Sequence, residues 1–217
     1  MTLRNRLNFE FVTIVAGRVA NLLGAVASLK LLTVYLSVEE FGRFGLALAG
    51  ANAVAMLLFS AYGAGMFRFT NPLVVSGQHS RLRNLIVIQL TRMSLAILVV
   101  SAIAIALLRG AWPGAPWALV SLGVVAGVLL GLQIVSFNSI QAMRARGAAA
   151  ALQALAGLSR GLVAVPFVLL ITPVAEWAMI GVIVFLVALV TGQMVIVSRL
   201  IFAPALEAAG AATAAPP

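Results

Sequence analysis

Residues 117–143 read WALVSLGVVAGVLLGLQIVSFNSIQAM, an apolar run without a single charged side chain. It is bounded by Pro113-Gly114 on one side and by Arg144-Ala145-Arg146-Gly147 on the other. A helix needs about 20 predominantly apolar residues to cross the hydrocarbon core of a bilayer, and this run is long enough. Inside it, Gly123, Gly127 and Gly131 recur every fourth residue, which puts all three on one helical face. With no Cβ there, a neighbouring helix can approach closely, so the expected role of these glycines is packing within a bundle of helices.

Working outward, five more runs of this kind flank it. The expected spans are 11–36, 41–67, 84–108, 117–143, 149–171 and 177–202, separated by turn and charge signals such as Ser37-Val38-Glu39-Glu40, the stretch from Thr70-Asn71-Pro72 through Ser76-Gly77, and Thr172-Pro173. Pro166 is expected to bend the fifth span. Residues 203–217, rich in Ala and Pro, carry too little apolar bulk to pack and are expected to be disordered. The fold class is therefore all-α, a polytopic membrane protein of six transmembrane helices over residues 1–202.

Composition agrees with that reading and excludes others. The chain is 63% hydrophobic and 9% charged, with a mean hydropathy of +1.15, whereas a soluble domain is roughly half apolar and about a quarter charged. The basic excess, 14 Lys plus Arg against 5 acidic residues, is dispersed around apolar runs and forms no basic face, which argues against nucleic acid as a partner. One His, no Cys and no Asp leave nothing from which to build a metal site, and no cofactor is expected. Gly157-Leu158-Ser159-Arg160-Gly161 fits the G-x-S-x-G pattern of serine hydrolases, but that pattern works on a strand-to-helix turn. His79 lies in a gap between spans and no Asp exists to complete a triad, so no enzymatic activity is expected.

The distribution of charge sets an expected orientation. Arg4, Arg6, Arg68, Arg81, Arg83, Arg144, Arg146 and Arg199 fall in alternate gaps, which the positive-inside rule assigns to the cytoplasm together with both termini. Glu39, Glu40 and Glu176 then lie outside, and Trp112, Trp117 and Trp177 mark the outer interface.

Four cations fall inside the apolar runs: Arg18, Lys30, Arg92 and Arg160. An intramembrane charge costs about 2.5 to 3.5 kcal/mol on insertion scales and marks a functional hypothesis. Arg18 shares a stripe with Asn21, Ala25 and Ser28. Lys30 and Arg92 lie near span ends, where snorkelling is the competing explanation. Arg160 falls near the middle of the fifth span with Gln153 two turns earlier, and no carboxylate of the chain lies at its depth. Unpaired positive charge at that depth suits an anion, particularly a phosphate.

Residues 31–45, LLTVYLSVEEFGRFG, and then 61–69, AYGAGMFRF, go beyond composition. They resemble the end of the first span and the close of the second in the polysaccharide-transporter branch of the MOP exporter superfamily, the Wzx-like flippases. Residues 139–147, SIQAMRARG, are similar to that family's junction between the fourth and fifth spans. The resemblance implies one six-helix lobe of a two-lobed transporter in the bacterial inner membrane, moving a polyprenyl-diphosphate-linked oligosaccharide. It implies that Arg18, Arg92, Arg160 and Lys30 attract the diphosphate, while Asn21, Ser28, Asn52, Gln89, Gln133 and Gln153 meet sugar hydroxyls. Because the family's usual architecture has two such lobes, either a homodimer or a second six-span lobe is the expected partner, besides membrane lipid. A non-transporting scaffold of a surface-polysaccharide assembly, or an inactive truncated transporter, is the alternative.

Overall fold

In the computed structural model, backbone is described for residues 3–78, 81–82, 84–143 and 146–213, and side chains for 12, 15–70, 72–78, 81–82, 84–143, 147–156 and 163–199. Among these residues the chain is helical, without strands. The helices are α1 (Leu3–Tyr35), α2 (Val38–Val75), α3 (Leu90–Ala111), α4 (Trp117–Ala142), α5 (Arg146–Leu162), α6 (Ala164–Leu170) and α7 (Ala175–Thr213), with a π-helical turn, Asn84–Gln89, leading into α3. Five stretches are long and apolar enough to cross a membrane: Val15–Tyr35, Val38–Val75, Asn84–Ala111, Trp117–Ala142 and Ala175–Arg199. They are compatible with a multi-pass membrane protein.

The fifth expected span, 149–171, is not one helix. It is broken at Val163 into α5 and the seven-residue α6. Pro166 has no N–H to offer the carbonyl of Leu162 and its ring crowds that oxygen, so the helix gives way within the preceding turn. The segment 203–213, expected to lack order, continues α7 as helix. Its alanines are the strongest helix formers, which the expectation, weighing only packing bulk, left out.

The turn between α1 and α2 is set locally. Ser37 caps α2, its hydroxyl accepting the N–H of Glu40 at 3.2 Å. At its far end α2 stops at Gly77, whose φ of 71° is open to glycine at little cost. Gly77 N–H donates to the Val74 carbonyl and Gln78 N–H to that of Leu73, the pairing of a Schellman motif.

Two parallel helix pairs form the body. In one, α2 lies against α4 along the glycine face: a Cβ on Gly123 would stand 3.2 Å from the Ala47 carbonyl oxygen, and one on Gly127 2.8 Å from that of Ala51. One on Gly131 would stand 2.2 Å from the Phe59 ring. In the other, α1 lies against α5, where a Cβ on Gly17 would stand 2.9 Å from the Ala150 carbonyl oxygen. α7 packs across α4 and α6, and α3 packs chiefly on α4. Matching register in both pairs puts Trp112, Trp117, Trp177, Glu39, Glu40 and Glu176 at one end of the bundle, and Arg68, Arg81 and Arg199 toward the other.

The apolar core has two parts. One, toward the Trp end, gathers Leu32, Leu36, Phe44, Ala51, Leu119, Ala126, Met179 and Leu186. The other, toward the basic end, gathers Phe59, Met66, Ile86, Leu90, Val135, Ile140, Leu152 and Val197.

Candidate functional site

Where the two cores meet, the helix pairs part. Asn21 of α1 and Gln153 of α5 form one wall of a cleft, and Asn52 of α2 and Gln133 of α4 form the other, with Met56 and Phe137 beside them. The cleft holds about 260 Å³. Counting at 1.5 Å per residue from the Trp end, Asn21, Asn52 and Gln133 all lie about 21 to 24 Å down their helices, a shared depth near the middle of the bundle. Each is a carboxamide, able to donate and to accept.

The walls are held from within their own pairs. Asn21 Nδ2 donates to the Gln153 carbonyl oxygen at 2.9 Å, which keeps α1 and α5 in register and leaves the Gln153 carboxamide facing the cleft. Asn52 Nδ2 donates to the Leu48 carbonyl oxygen of its own helix at 2.9 Å. Four of the six polar residues expected to meet a sugar therefore line one space.

The other two do not. Ser28 is buried in the α1 seam and donates to the Gly24 carbonyl oxygen at 2.6 Å. Gln89 is exposed at the start of α3.

The cations are scattered. Arg18 is exposed and stands in heptad spacing with Ala25 and Leu32, and Leu32 packs in the same core as Phe44 and Ala51 of α2. Arg18 lies one helical turn from Asn21 on α1 but is not among the residues that line the cleft. Lys30 is exposed on the opposite side of α1 from the buried Gly17, Gly24 and Ser28. Arg92 is exposed on α3, roughly opposite the buried Leu90 and Ser94 stripe. Neither borders the cleft. Arg160 lies three residues before the α5–α6 break, and its side chain is outside the described residues.

Two features escaped the sequence reading. Gln193 of α7 is 1% exposed, and neither its Nε2 nor its Oε1 has a hydrogen-bond partner. Its level is fixed by the neighbouring Met194, whose sulfur lies 3.9 Å from the Ser136 hydroxyl of α4. A lone carboxamide in the apolar run from Ala178 to Val197 was the available signal. The second is Glu40. Its Oε2 accepts the N–H of Ala175 at 2.8 Å, capping α7 from the α1–α2 turn, while its Oε1 accepts from Arg43 at 3.1 Å. Arg43 also donates to Glu39 at 2.6 Å. A carboxylate at a helix N-terminus meets free N–H groups and the positive end of the dipole.

Among the described residues, no cluster of His or acidic side chains could hold a metal ion. No protein-family model, no curated protein and no solved structure matches the chain.

Proposed function

We propose that the chain is a six-segment lobe of a transporter that moves a polyprenyl-diphosphate-linked oligosaccharide, or a related polysaccharide precursor, across the bacterial inner membrane. Both termini are cytoplasmic in this reading. The observation that carries it is the mid-depth cleft with four carboxamides on two separable helix pairs. Polar groups at that depth are costly against lipid and are placed where a ligand or water meets them. Carboxamides pair with hydroxyls as donor and acceptor together, which suits a sugar, and Arg18, one helical turn from Asn21, would meet the phosphate. The cleft is smaller than the roughly 300 to 1,000 Å³ of a site that encloses its ligand. One lobe supplies a wall, and a second copy or a separate lobe supplies the opposite one. Rocking of the lobes about the site would alternate its access, with the prenyl tail left in lipid and no covalent step.

The outward placement of Lys30 and Arg92 favours a second reading, a scaffold whose cations hold anionic lipid or a partner's carboxylates. A single assay separates the two. In proteoliposomes carrying a fluorescent polyprenyl-diphosphate oligosaccharide, the protein moves the substrate between leaflets and Gln133→Leu combined with Asn52→Leu stops it. Absence of any transport by assembled wild-type protein rejects the transporter in favour of the scaffold.

A further inference from the structure

The seam between α2 and α4 is covered unequally along its length. Toward the basic end, the start of α3 lies over it: Leu82, Ile86 and Leu90 are buried with Phe59, Met66 and Val135, and the Tyr62 hydroxyl of α2 donates to the Leu85 carbonyl in the π-helical turn. Toward the Trp end, α3 stands clear, with Leu95, Val99, Val100, Ile103, Leu107 and Leu108 all exposed. There the seam opens as an apolar groove of about 340 Å³, and no residue of α3 lines it. Its floor and walls are Leu46, Gly50 and Val54 of α2 and Leu119, Val120 and Val124 of α4, and the guanidinium of Arg43 stands at its mouth.

Gly50 gives the groove its depth. A Cβ placed there would meet nothing within 4 Å, so the space is open and no neighbour requires a glycine. From Arg43 to Gly50 the groove runs about 10 Å along the helix axis, from the first turns of α2 toward the middle of the bundle. In a bilayer, an apolar groove of this shape cannot hold water, and an acyl chain lying in it recovers the dispersion contacts that a void forfeits.

The mouth sets the head group. Arg43 has five N–H donors, and Glu39 and Glu40 draw on two of its nitrogens. The Glu40 carboxylate is also engaged by the N-terminus of α7, while the Glu39 side chain is 75% exposed. A phosphate meets the guanidinium and an ammonium meets Glu39, an arrangement that fits an amine-bearing zwitterion better than a plain anion.

We infer that the outer half of the α2–α4 seam is a lipid site, which takes one acyl chain of a phosphatidylethanolamine in the leaflet at the Trp end with its phosphate on Arg43. The site is separate from the carboxamide cleft and does not depend on the transport reading.

The test uses the full chain reconstituted in vesicles of equal phosphatidylethanolamine and phosphatidylglycerol, then extracted gently and weighed by native mass spectrometry. Wild type retains one phosphatidylethanolamine. Gly50→Leu, which fills the groove where nothing else stands, loses it, and Val120→Trp does the same from the other wall, so that one variant still reports if the other does not fold. Glu39→Gln loses the preference for phosphatidylethanolamine over phosphatidylglycerol, whereas Arg43→Gln weakens retention of both lipids. Retention of the adduct by folded Gly50→Leu and Val120→Trp overturns the site. So does a wild-type protein that carries no lipid, or one whose Gly50-sensitive species is a polyprenyl lipid or a second copy of the chain.

Discussion

α3 and α4 are almost equally apolar, yet they occupy opposite situations. The best spanning windows of the stretches Asn84–Ala111 and Trp117–Ala142 have mean hydropathies of 2.2 and 2.4, but 6% of the first is buried in the bundle against 50% of the second. Hydrophobicity puts a helix in the membrane and says nothing about which helix stands at the centre, because lipid tails are as apolar as leucine. Glycine separates the two. α4 offers Gly123, Ala126, Gly127 and Gly131 to its neighbours, whereas the corresponding middle of α3 is Leu95, Ile97, Leu98, Val99 and Val100. α3 has small residues of its own, Ala96, Ser101, Ala102, Ala104 and Ala106, but no glycine before Gly110, and its exposed side chains are left to lipid.

The largest effect expected from this contrast comes from filling the α4 seam. Gly131→Leu drives a side chain into the Phe59 ring and should destabilise the protein at or beyond the upper end of the ~1 to 3 kcal/mol typical of overpacking. Thermal unfolding in detergent reads it, and adding Phe59→Ala should recover part of the loss. Next is the tie from the α1–α2 turn to α7. Glu40→Ala removes the acceptor of the Ala175 N–H and should cost about 1 kcal/mol, as a lost helix cap does. Hydrogen exchange at the start of α7 should rise in that variant while the α2–α4 seam stays protected.

Tyr62→Phe probes the bond between α2 and the π-helical turn that leads into α3. Its loss should cost roughly 0.6 kcal/mol, the average found for hydrogen bonds within membranes, with faster exchange confined to the Asn84–Gln89 turn. The smallest effect belongs to the free face of α3, where Leu95→Ala or Val100→Ala should change stability by no more than about 0.5 kcal/mol. A large loss at either position would mean that this face is covered by something other than lipid, and the contrast between the two helices would fail.

Much of the bundle was legible in the sequence because its signals are local. The glycine period of α4 names a packing face whatever helix lies opposite. Ser76-Gly77 closes α2, although Thr70-Asn71-Pro72, expected to open that break, lies inside the helix, and Pro166 marks a bend that the structure turns into a break. Asn21, Asn52, Gln133 and Gln153 each stood out as a carboxamide in an apolar run. Their meeting in one cleft was not readable, since it depends on the parallel registers of α1 with α5 and of α2 with α4. The cations show the opposite failure. Lys30 and Arg92 were marked by type and position alone, but the direction of a side chain depends on which face of its helix the neighbours bury.

By itself, then, the sequence determined the solvent in which this protein folds, the approximate limits of most of its helices and the faces that could pack closely, because hydropathy, turn chemistry and glycine spacing act over a few residues. Tertiary structure decided the pairing of helices, the carboxamide cleft, the exposed groove beside Gly50 and the reach of Glu40 to Ala175. Each of those joins residues far apart in the chain, and nothing in a local pattern carries the relative rotation and register of two helices on which such contacts depend.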